Sequence, residues 1–321
     1  MTSKIFPISS DASFRKFYRI IKNDKSKIIV ISKKEKYINL LVYVAINKFL
    51  RKNRILAPKL ISHNYSKGMI IIEDFGDLSL QNILLKKKNK LSTYKKILSL
   101  LIKIQKIKPK IKLNSFLSRS HLMKKYSNKY LHKESDLFFD WYLPLFFKKK
   151  KISKIKKETK KTLTKLYKKL NFPNSCFVHR DFHAQNLMKV GKKIGLIDNQ
   201  DALIGNPAYD LVSLVDDVRV KTSKKLKDEI FKHYLKKKFL NNKDKSRIFL
   251  EDFNILSVQR SLKIIGIFSR LFKRDKKNKY LKMIPYTWSL LEMRMGSKIF
   301  SELKKILDRN ISKKMRKRST Y

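Results

Sequence analysis

The segment 179–186, HRDFHAQN, places a carboxylate at Asp181 and a carboxamide at Asn186. On a loop that follows a strand, this pair suits phosphoryl transfer, because an aspartate can orient and deprotonate an attacking hydroxyl while an asparagine oxygen binds magnesium. Asp198 ends an apolar run twelve residues beyond Asn186. A hairpin of that length would return Asp198 to the side of Asn186. The two side chains would then provide two hard oxygen ligands for one cation, which suffices for magnesium when phosphates and water supply the rest.

Each of these signals also has a structural explanation. A single HxD triplet is weak evidence, and an aspartate at the end of a strand is usually a turn former. The combination is more specific than its parts, because the residues occur in this order after an N-terminal strand–strand–helix–strand pattern. The sequence therefore favours a catalytic site over a set of turn residues.

The N-terminal 75 residues predict a small β-rich unit. Residues 12–19 and 27–31 have the composition of short strands, and residues 38–50 place apolar side chains at helical spacing. Residues 69–73, MIIIE, predict a buried strand.

The rest of the chain is mainly helical in pattern. Residues 91–107 and 153–170 combine lysine-rich faces with stripes of Leu and Ile, which is typical of solvated amphipathic helices. A membrane-surface role for 147–170 is an alternative interpretation of the same pattern. Phe177 and the segment 193–198 predict short β-hairpin material on either side of the Asp181 loop.

Length and composition indicate a folded chain in a reducing compartment. The 321 residues suit one large domain or two lobes around a cleft, and 42% of them are hydrophobic, enough for a sizeable core. The single cysteine, Cys176, excludes an intramolecular disulfide. We see no apolar leader and no run of about 18 apolar residues, so we expect a cytoplasmic protein.

The formal net charge of +54 suggests nucleic-acid binding as one interpretation. Most basic residues are lysines spread along the whole chain beside abundant Ile and Asn, and these residues share A/T-rich codons. Genome composition explains this bias more simply than a binding patch, in which arginine and aromatic residues would concentrate. We therefore expect neither a nucleic-acid nor a membrane partner, although the charge would attract anionic substrates at low salt.

Three segments carry a resemblance to a known superfamily: HRDFHAQN at 179–186, GLIDNQD at 195–201 and AYDLVSL at 208–214. They resemble the aminoglycoside phosphotransferase and choline-kinase-like enzymes, which are relatives of protein kinases. The resemblance implies an α+β, two-lobed protein-kinase-like fold, with a small β-rich nucleotide-binding N-lobe at 1–75. A larger, mainly helical C-lobe at 76–321 would hold the catalytic groups and the acceptor. The implied activity is ATP-dependent, Mg²⁺-dependent phosphorylation of a small-molecule hydroxyl.

The resemblance also implies roles for single residues. Asp181 matches the catalytic base, and Asn186 and Asp198 match the magnesium ligands. Asp210 matches an aspartate that hydrogen-bonds the backbone of the catalytic loop. The two histidines of the loop match a packing residue and an orienting hydrogen-bond partner, in the order His179 and His183.

Four further blocks, at 11–19, 72–77, 197–205 and 259–271, resemble a narrower group. This group comprises the bacterial anomeric kinases of N-acetylmuramate and N-acetylglucosamine, which salvage cell-wall sugars. The resemblance implies an amino-sugar acceptor that is phosphorylated at the anomeric position. Such an acceptor would face Asp201, while a basic residue such as Arg260 or Arg270 would bind the N-acetylmuramate carboxylate as a fork. A surface or lobe-bridging arginine is the alternative interpretation of Arg260.

The phosphate-binding elements depart from the superfamily pattern. No GxGxxG motif is present, so the turn at 9–13 is the expected cover of the phosphates, with a hydroxyl from Ser13 and charge from Arg15. An ordinary hairpin is the alternative for this turn. The third-strand run 29–32 contains no lysine, which leaves Lys33 or Lys34 as candidates for the nucleotide-binding lysine.

Two other positions bear on the nucleotide site. The segment from Glu73 to Phe75 is the expected hinge between the lobes, where backbone groups would bind the adenine edge. Asn199 stands where an aromatic residue is expected after the metal-binding aspartate, so we expect different packing there.

Two other functions stay open on the sequence alone. One is a kinase for another small hydroxyl compound, such as an amino alcohol or an aminoglycoside, although polycationic aminoglycosides suit an acidic pocket better than a chain at +54. The other is a kinase-like scaffold that binds nucleic acid. The presence of Asp181, Asn186 and Asp198 disfavours the scaffold.

Overall fold

The computed structural model describes residues 4–8 and 15–318, and the chain divides into two compact units. The first unit consists of the chain up to Lys124 together with Cys176–Ile204. The second consists of Lys125–Ser175 together with the chain from Gly205 onward. The N-terminal strands and the Asp181 loop therefore belong to the same unit. The expected boundary between a nucleotide-binding lobe and a catalytic lobe after residue 75 stays a prediction.

A five-stranded antiparallel sheet opens the first unit, in the order β1-β2-β3-β5-β4. Its strands are β1 (Lys4–Ile8), β2 (Lys16–Lys22), β3 (Lys25–Ile31), β4 (Leu60–Asn64) and β5 (Met69–Glu73). Side chains alternate across the central strands, so that β-branched residues such as Ile28, Val30 and Ile70 are buried in one cluster. Helix α1 (Ile38–Lys52) contributes Leu40 and Val44 to the same cluster.

The remainder of the first unit includes the segment that carries Asp181, Asn186 and Asp198. Helices α2 (Leu80–Lys86) and α3 (Leu91–Gln105) precede a short hairpin of β6 (Lys112–Asn114) and β7 (Ser120–Leu122). After residue 175 the chain forms β8 (Cys176–Val178), β9 (Leu187–Val190), β10 (Lys193–Leu196) and β11 (Leu203–Gly205). Strands β9 and β10 form an antiparallel hairpin, and β8 pairs with β11. These short strands hold both ends of the segment 179–198.

The second unit is helical and is built around the 31-residue helix α8. Its helices are α4 (Asn128–Leu137), α5 (Lys149–Lys168), α6 (Ala208–Val215), α7 (Lys224–Phe239), α8 (Lys243–Lys273), α9 (Ile284–Arg294), α10 (Ser301–Asn310) and α11 (Lys313–Lys317). Gly266 allows α8 to approach α4 closely, because a Cβ there would lie 2.3 Å from the carbonyl carbon of Leu137. None of the helices in the described part of the chain is long and apolar enough to cross a membrane.

Several charged side chains of the second unit are buried next to a partner of opposite charge. Glu134 accepts hydrogen bonds from the Tyr209 hydroxyl at 2.8 Å and from Lys263 Nζ at 3.0 Å. Asp216 accepts two bonds of 2.9 Å from the guanidinium of Arg294. Burial by itself raises the pKa of Asp216, but the charge and hydrogen bonds of Arg294, together with the charge of Lys227 and the hydroxyl of Ser257, outweigh burial and hold that pKa below its ordinary value. Some basic residues of this lysine-rich chain therefore stabilise the core.

Most elements predicted from the pattern are present. The helix predicted at 38–50 is α1, the strand at 69–73 is β5, and the helices at 91–107 and 153–170 are α3 and α5. The strand predicted at 12–19 is β2, which runs from Lys16 to Lys22, whereas residues 12–14 lie outside the described residues. Strands β1 and β4 were not predicted.

Candidate active site

Strand β8 leads into the loop that is predicted to be catalytic, and His179, the first residue after the strand, is almost completely buried. Nδ1 of His179 accepts the backbone N–H of Asp181 at 3.2 Å, and Nε2 lies 2.9 Å from the carbonyl oxygen of Ile197. Because Nδ1 is the acceptor, the ring proton must be on Nε2, which donates to Ile197. The imidazole is therefore neutral and braces the loop beneath Asp181, a task beyond the packing role that the sequence suggested.

The side chain of Asn186 is hydrogen-bonded to the backbone of Asp181, the predicted base. Its Nδ2 donates to the carbonyl oxygen of Asp181 at 3.1 Å, and the same oxygen accepts the N–H of His183 at 2.9 Å. Since Nδ2 is engaged, Oδ1 is the atom left for a cation. Within the described residues this oxygen accepts no hydrogen bond.

The hairpin predicted between Asn186 and Asp198 is present. Leu187 of β9 pairs with Leu196 of β10, and the N–H of Ile197 donates to the carbonyl oxygen of Asn186 at 3.1 Å. The backbone that precedes Asp198 is therefore bonded directly to Asn186. The pairing of two four-residue strands therefore brings the backbone positions of the two predicted ligands close together, as their spacing indicated.

Two residues next to this hairpin have a left-handed backbone. Arg180 has φ +75° and Asp198 has φ +62°, and neither is glycine. Such conformations are costly for residues with a Cβ, so the surrounding bonds must enforce them. Arg180 directly precedes the predicted base Asp181, and Asp198 is itself a predicted metal ligand, so both strained positions lie where a fixed geometry has most value.

The carboxylate of Asp198 is held at one oxygen. Oδ1 accepts hydrogen bonds of 3.0 Å from Arg15 and from Nε2 of Gln200. Oδ2 accepts none from residues 4–8 or 15–318, and the side chain is 44% exposed. Within the described part of the chain, Asp198 thus presents one carboxylate oxygen without a hydrogen-bond donor.

Arg15, predicted to contact phosphate, is buried at the start of β2. Its guanidinium carbon lies 5.4 Å from the ring centroid of Phe17 and 5.8 Å from that of Tyr43. Burial raises the pKa of Tyr43 to about 12, so this ring is a neutral face for the cation at physiological pH. Ser13, the other predicted phosphate contact, lies outside the described residues.

The donor set fits one magnesium ion. Oδ1 of Asn186 and Oδ2 of Asp198 are hard oxygen atoms that accept no hydrogen bond from the residues that the structure describes, and magnesium needs only one or two such protein ligands. No group of three or more His, Cys, Asp or Glu side chains that could hold a metal occurs in the described part of the chain.

The predicted hinge follows β5. The N–H of Glu73 donates to the carbonyl of Lys59 at 2.9 Å, and its carboxylate pairs with Arg51 at 3.0 Å. Adenine binding would therefore depend on the backbone beyond Glu73. The ring of Phe75 is buried against Gly195 of β10, where a Cβ would lie 2.6 Å from the ring.

Asp74 ties this hinge to the sheet. Its carboxylate accepts the Nε–H of Arg19 at 2.5 Å and the N–H of Gly76 at 2.8 Å. Burial alone would raise the pKa of Asp74, but the hydrogen bonds from Arg19 and Gly76 outweigh burial and lower it below its ordinary value. The ion pair therefore persists at neutral pH.

The structure describes the predicted acceptor residues in different settings. Asp201 is exposed, and its carbonyl oxygen accepts a bond of 3.3 Å from Arg180. Arg260 is buried within α8, with its guanidinium carbon 5.9 Å from the ring centroid of Tyr209. Their roles toward an acceptor stay predictions.

The remaining predicted residues also have defined positions. Lys33 and Lys34 follow β3 and are exposed, Arg270 is half-buried near the end of α8, and His183 is buried in the catalytic loop. Asp210 is buried in the first turn of α6. The nucleotide, acceptor and loop-bracing roles expected for them stay predictions.

Sequence reasoning missed the partners of Asn199. This residue is fully buried, and its Nδ2 donates to Oδ1 of Asn47 and to the carbonyl of Leu196, both at 2.9 Å. The different packing expected at Asn199 is thus a polar clasp between helix α1 and the turn after Asp198. Asn47 lies 152 residues away in sequence, so no local signal could have identified it, whereas Gln200 lies within the quoted GLIDNQD segment.

A loop carboxylate, a carboxamide and a strand-end carboxylate in this order were predicted to serve phosphoryl transfer, and the family comparison agrees on that class of enzyme. Residues 4–248 match the model of the phosphotransferase enzyme family, APH, to which this chain belongs. The predicted superfamily, the two-lobed α+β kinase-like fold and the phosphotransferase class with an alcohol group as acceptor are confirmed.

Particular relatives narrow the comparison. The chain is 26% identical over 298 residues to the N-acetylmuramate/N-acetylglucosamine kinase of Neisseria meningitidis, with 92% of this chain and 86% of that protein covered. It is 27% identical over 293 residues to the kinase of the same name from Pseudomonas aeruginosa, with 90% and 83% covered. The ADP-bound aminoglycoside phosphotransferase APH(2'')-Ib shares the fold, with a TM-score of 0.62, 14% identity, and 90% of this chain and 92% of that chain covered.

Proposed function

We propose that this protein is an ATP- and Mg²⁺-dependent kinase that phosphorylates the anomeric hydroxyl of N-acetylmuramate or N-acetylglucosamine in the cytoplasm. The observation that supports the reaction is the bonded arrangement of the Asp181 loop, Asn186 and Asp198 in one unit. The amino-sugar acceptor is supported by the names of relatives that share about a quarter of the residues over most of the chain.

Asp181 would act as the general base. The acceptor oxygen attacks the γ-phosphorus, the bond to the β–γ bridging oxygen breaks, and the hydroxyl proton passes to the carboxylate of Asp181. The anomeric hydroxyl of a reducing sugar is more acidic than an ordinary alcohol, so a carboxylate of modest basicity suffices. The neutral ring of His179 holds the backbone N–H of Asp181 at 3.2 Å and limits motion of the loop.

Asn186 and Asp198 would hold the cation. Their unengaged oxygens, Oδ1 and Oδ2, have the hardness that magnesium prefers. A bound Mg²⁺ would neutralise charge on the phosphate oxygens during transfer. ATP as the donor is supported by fold relatives whose structures contain ADP or AMP-PNP.

The acceptor would be oriented by charge. Asp201 is exposed beside Gln200 and would accept hydrogen bonds from sugar hydroxyls. The carboxylate of N-acetylmuramate would pair with an arginine fork such as Arg260, and the net charge of +54 would raise the local concentration of this anion at low salt.

A phosphorylation screen with phosphorus NMR tests this proposal. We expect N-acetylmuramate and N-acetylglucosamine to yield 1-phosphates, and methyl glycosides of the same sugars to yield no product. Choline, ethanolamine and aminoglycosides serve as alternative acceptors, and the Asp181→Asn variant controls for contaminating kinases. A methyl glycoside that is phosphorylated as fast as the free sugar would overturn the anomeric assignment and leave the kinase assignment intact.

A further inference from the structure

Three hydrogen bonds form a closed ring around one oxygen of Asp198. Arg15 donates from one terminal nitrogen to Oδ1 of Asp198 at 3.0 Å and from the other to Oε1 of Gln200 at 3.1 Å. Gln200 completes the ring by donating from Nε2 to the same Oδ1 at 3.0 Å. Each donor meets an acceptor, so the amide of Gln200 has one favourable orientation, because a flipped amide would set its oxygen against the carboxylate.

The hydrogen-bonded ring of Arg15, Asp198 and Gln200 is held in place by several elements of the fold. Arg15 is 5% exposed and lies against the rings of Phe17 in β2 and Tyr43 in α1. Gln200 sits in the turn after Asp198 and also donates to Oδ2 of Asp201 at 3.2 Å. Neither side chain can move freely, because Arg15 is packed between aromatic rings and Gln200 is bonded on both sides. The orientation of the Asp198 carboxylate is therefore imposed by its neighbours.

Both donors act on the same oxygen and leave the other one open. Oδ1 takes two hydrogen bonds, whereas Oδ2 takes none from the described residues. A carboxylate without such partners can rotate about its χ2 bond and offer either oxygen or both. The hydrogen bonds from Arg15 and Gln200 prevent this rotation of the Asp198 carboxylate and leave Oδ2 as the oxygen that can bind a ligand.

We propose that Gln200 and Arg15 are positioning residues that orient the Asp198 carboxylate so that it binds the catalytic cation through Oδ2 alone. This inference rests on the proposed function, because it assumes that Asp198 is a metal ligand. Residues that orient a metal ligand through hydrogen bonds typically change metal affinity by about 10–100-fold when they are replaced. Arg15 acts here through Asp198, and its predicted contact with phosphate is a separate matter.

The charge of Arg15 weakens metal binding, whereas its orienting hydrogen bond strengthens it. The variants must separate these two effects. A guanidinium beside the carboxylate repels a cation, so deleting its charge would tighten metal binding while loosening the ligand. Arg15→Lys keeps the charge but cannot bridge Asp198 and Gln200 with a planar fork. Gln200→Met removes the neutral donor at nearly constant volume and leaves Arg15 in place. These two substitutions therefore isolate geometry from charge.

The test measures Mn²⁺ binding by electron paramagnetic resonance in the presence of a non-hydrolysable ATP analogue. We expect Gln200→Met and Arg15→Lys to raise the Mn²⁺ dissociation constant by about 10–100-fold. The melting temperatures of both variants should stay close to that of the wild type. In steady-state assays the Mg²⁺ concentration for half-maximal rate should rise in both variants, while kcat at saturating Mg²⁺ stays near wild type in Gln200→Met.

Matched controls come from the second unit. Gln259 donates from Nε2 to Glu134 at 3.0 Å, and Arg294 pairs with Asp216 through two nitrogen atoms. Gln259→Met and Arg294→Lys therefore repeat the same chemistry at other carboxylates, and neither should change Mn²⁺ affinity.

The outcomes separate this inference from the proposed function. If Asp198→Ala leaves Mn²⁺ binding unchanged, the proposed metal site is wrong and the positioning inference falls with it. If Asp198→Ala abolishes binding while Gln200→Met and Arg15→Lys bind Mn²⁺ as tightly as wild type, only the positioning inference is overturned. A loss of affinity in both variants, with the controls unchanged, supports it.

Discussion

The Nε2 atom of His179 lies 2.9 Å from the carbonyl oxygen of Ile197, the residue that precedes Asp198. Since Nδ1 of the same ring accepts the N–H of Asp181, one neutral imidazole connects the backbone of the predicted base to the strand end that carries the predicted metal ligand. A shift of either segment must therefore strain the other. This coupling is a physical reason to treat the loop and the hairpin as one site.

Asp181→Asn should lower kcat by about 10²–10⁴-fold, the usual range for a positioned acid–base group. The amide preserves the shape of the side chain but cannot accept the hydroxyl proton. Nucleotide affinity, measured by calorimetry, and the melting temperature should stay close to wild type. A variant that turns over at the wild-type rate would remove Asp181 from the role of base.

Asp198→Ala should abolish magnesium-dependent nucleotide binding, because Asp198 is the only charged side chain that we place at the cation. Calorimetry with ATP at saturating magnesium measures this directly. Asp140→Ala, which deletes an exposed carboxylate paired with Lys156 in the second unit, is the matched control and should bind ATP normally. Unchanged affinity in Asp198→Ala would mean that this residue serves only the turn.

The hinge prediction distinguishes backbone from side chain. Glu73→Gln should change the ATP Michaelis constant little, because Glu73 is 40% exposed and its pair with Arg51 is a surface ion pair worth about 0–1 kcal/mol. Phe75→Pro should raise that constant sharply, since it removes a backbone N–H and the ring packed on Gly195. A harmless proline at this position would place the adenine contacts elsewhere.

The Arg19–Asp74 pair predicts an acid-sensitive contribution to stability. The pKa of Asp74 is lower in the folded protein than its ordinary value of 3.8, so the folded state binds the proton less tightly than the unfolded state. The ion pair therefore contributes its full stabilisation when the pH is above the pKa of Asp74 in the unfolded chain. This stabilisation is lost as the pH falls through the pKa of Asp74 in the folded protein. Asp74→Asn should lower the free energy of unfolding by about 1–2 kcal/mol at pH 7.

Urea unfolding of wild type and Asp74→Asn between pH 7 and pH 2 checks this prediction. The difference in free energy of unfolding between the two proteins should become smaller only at acidic pH. A difference that stays constant down to pH 2 would show that the carboxylate contributes through packing rather than through its charge.

The sequence predicts what is local and misses what depends on distant partners. Asp181, Asn186 and Asp198 belong to one loop and one hairpin, so their spacing alone indicated their proximity. Strand β1 escaped prediction because Pro7 lies within it, and proline is tolerated there only because β1 is at the edge of the sheet.

Long-range polar pairs show the same limit more clearly. Asn199 meets Asn47 across 152 residues, and Arg15 meets Asp198 across 183. In the second unit, Lys263 is buried against Glu134 although a lysine in so basic a chain suggests a solvated face. Each pair forms because tertiary packing brings the two residues together. No local pattern in a single sequence indicates such a pair.

The only cysteine of the chain lies on β8, the strand that leads directly into the catalytic loop, and its side chain is buried. A thiol reagent can reach this sulfur only when the strand separates from its neighbours. The rate of modification under native conditions therefore reports how often the base of the catalytic loop opens. Because no second thiol adds background, the natural protein contains its own reporter of that opening, and bound nucleotide or sugar should be detectable as slower labelling.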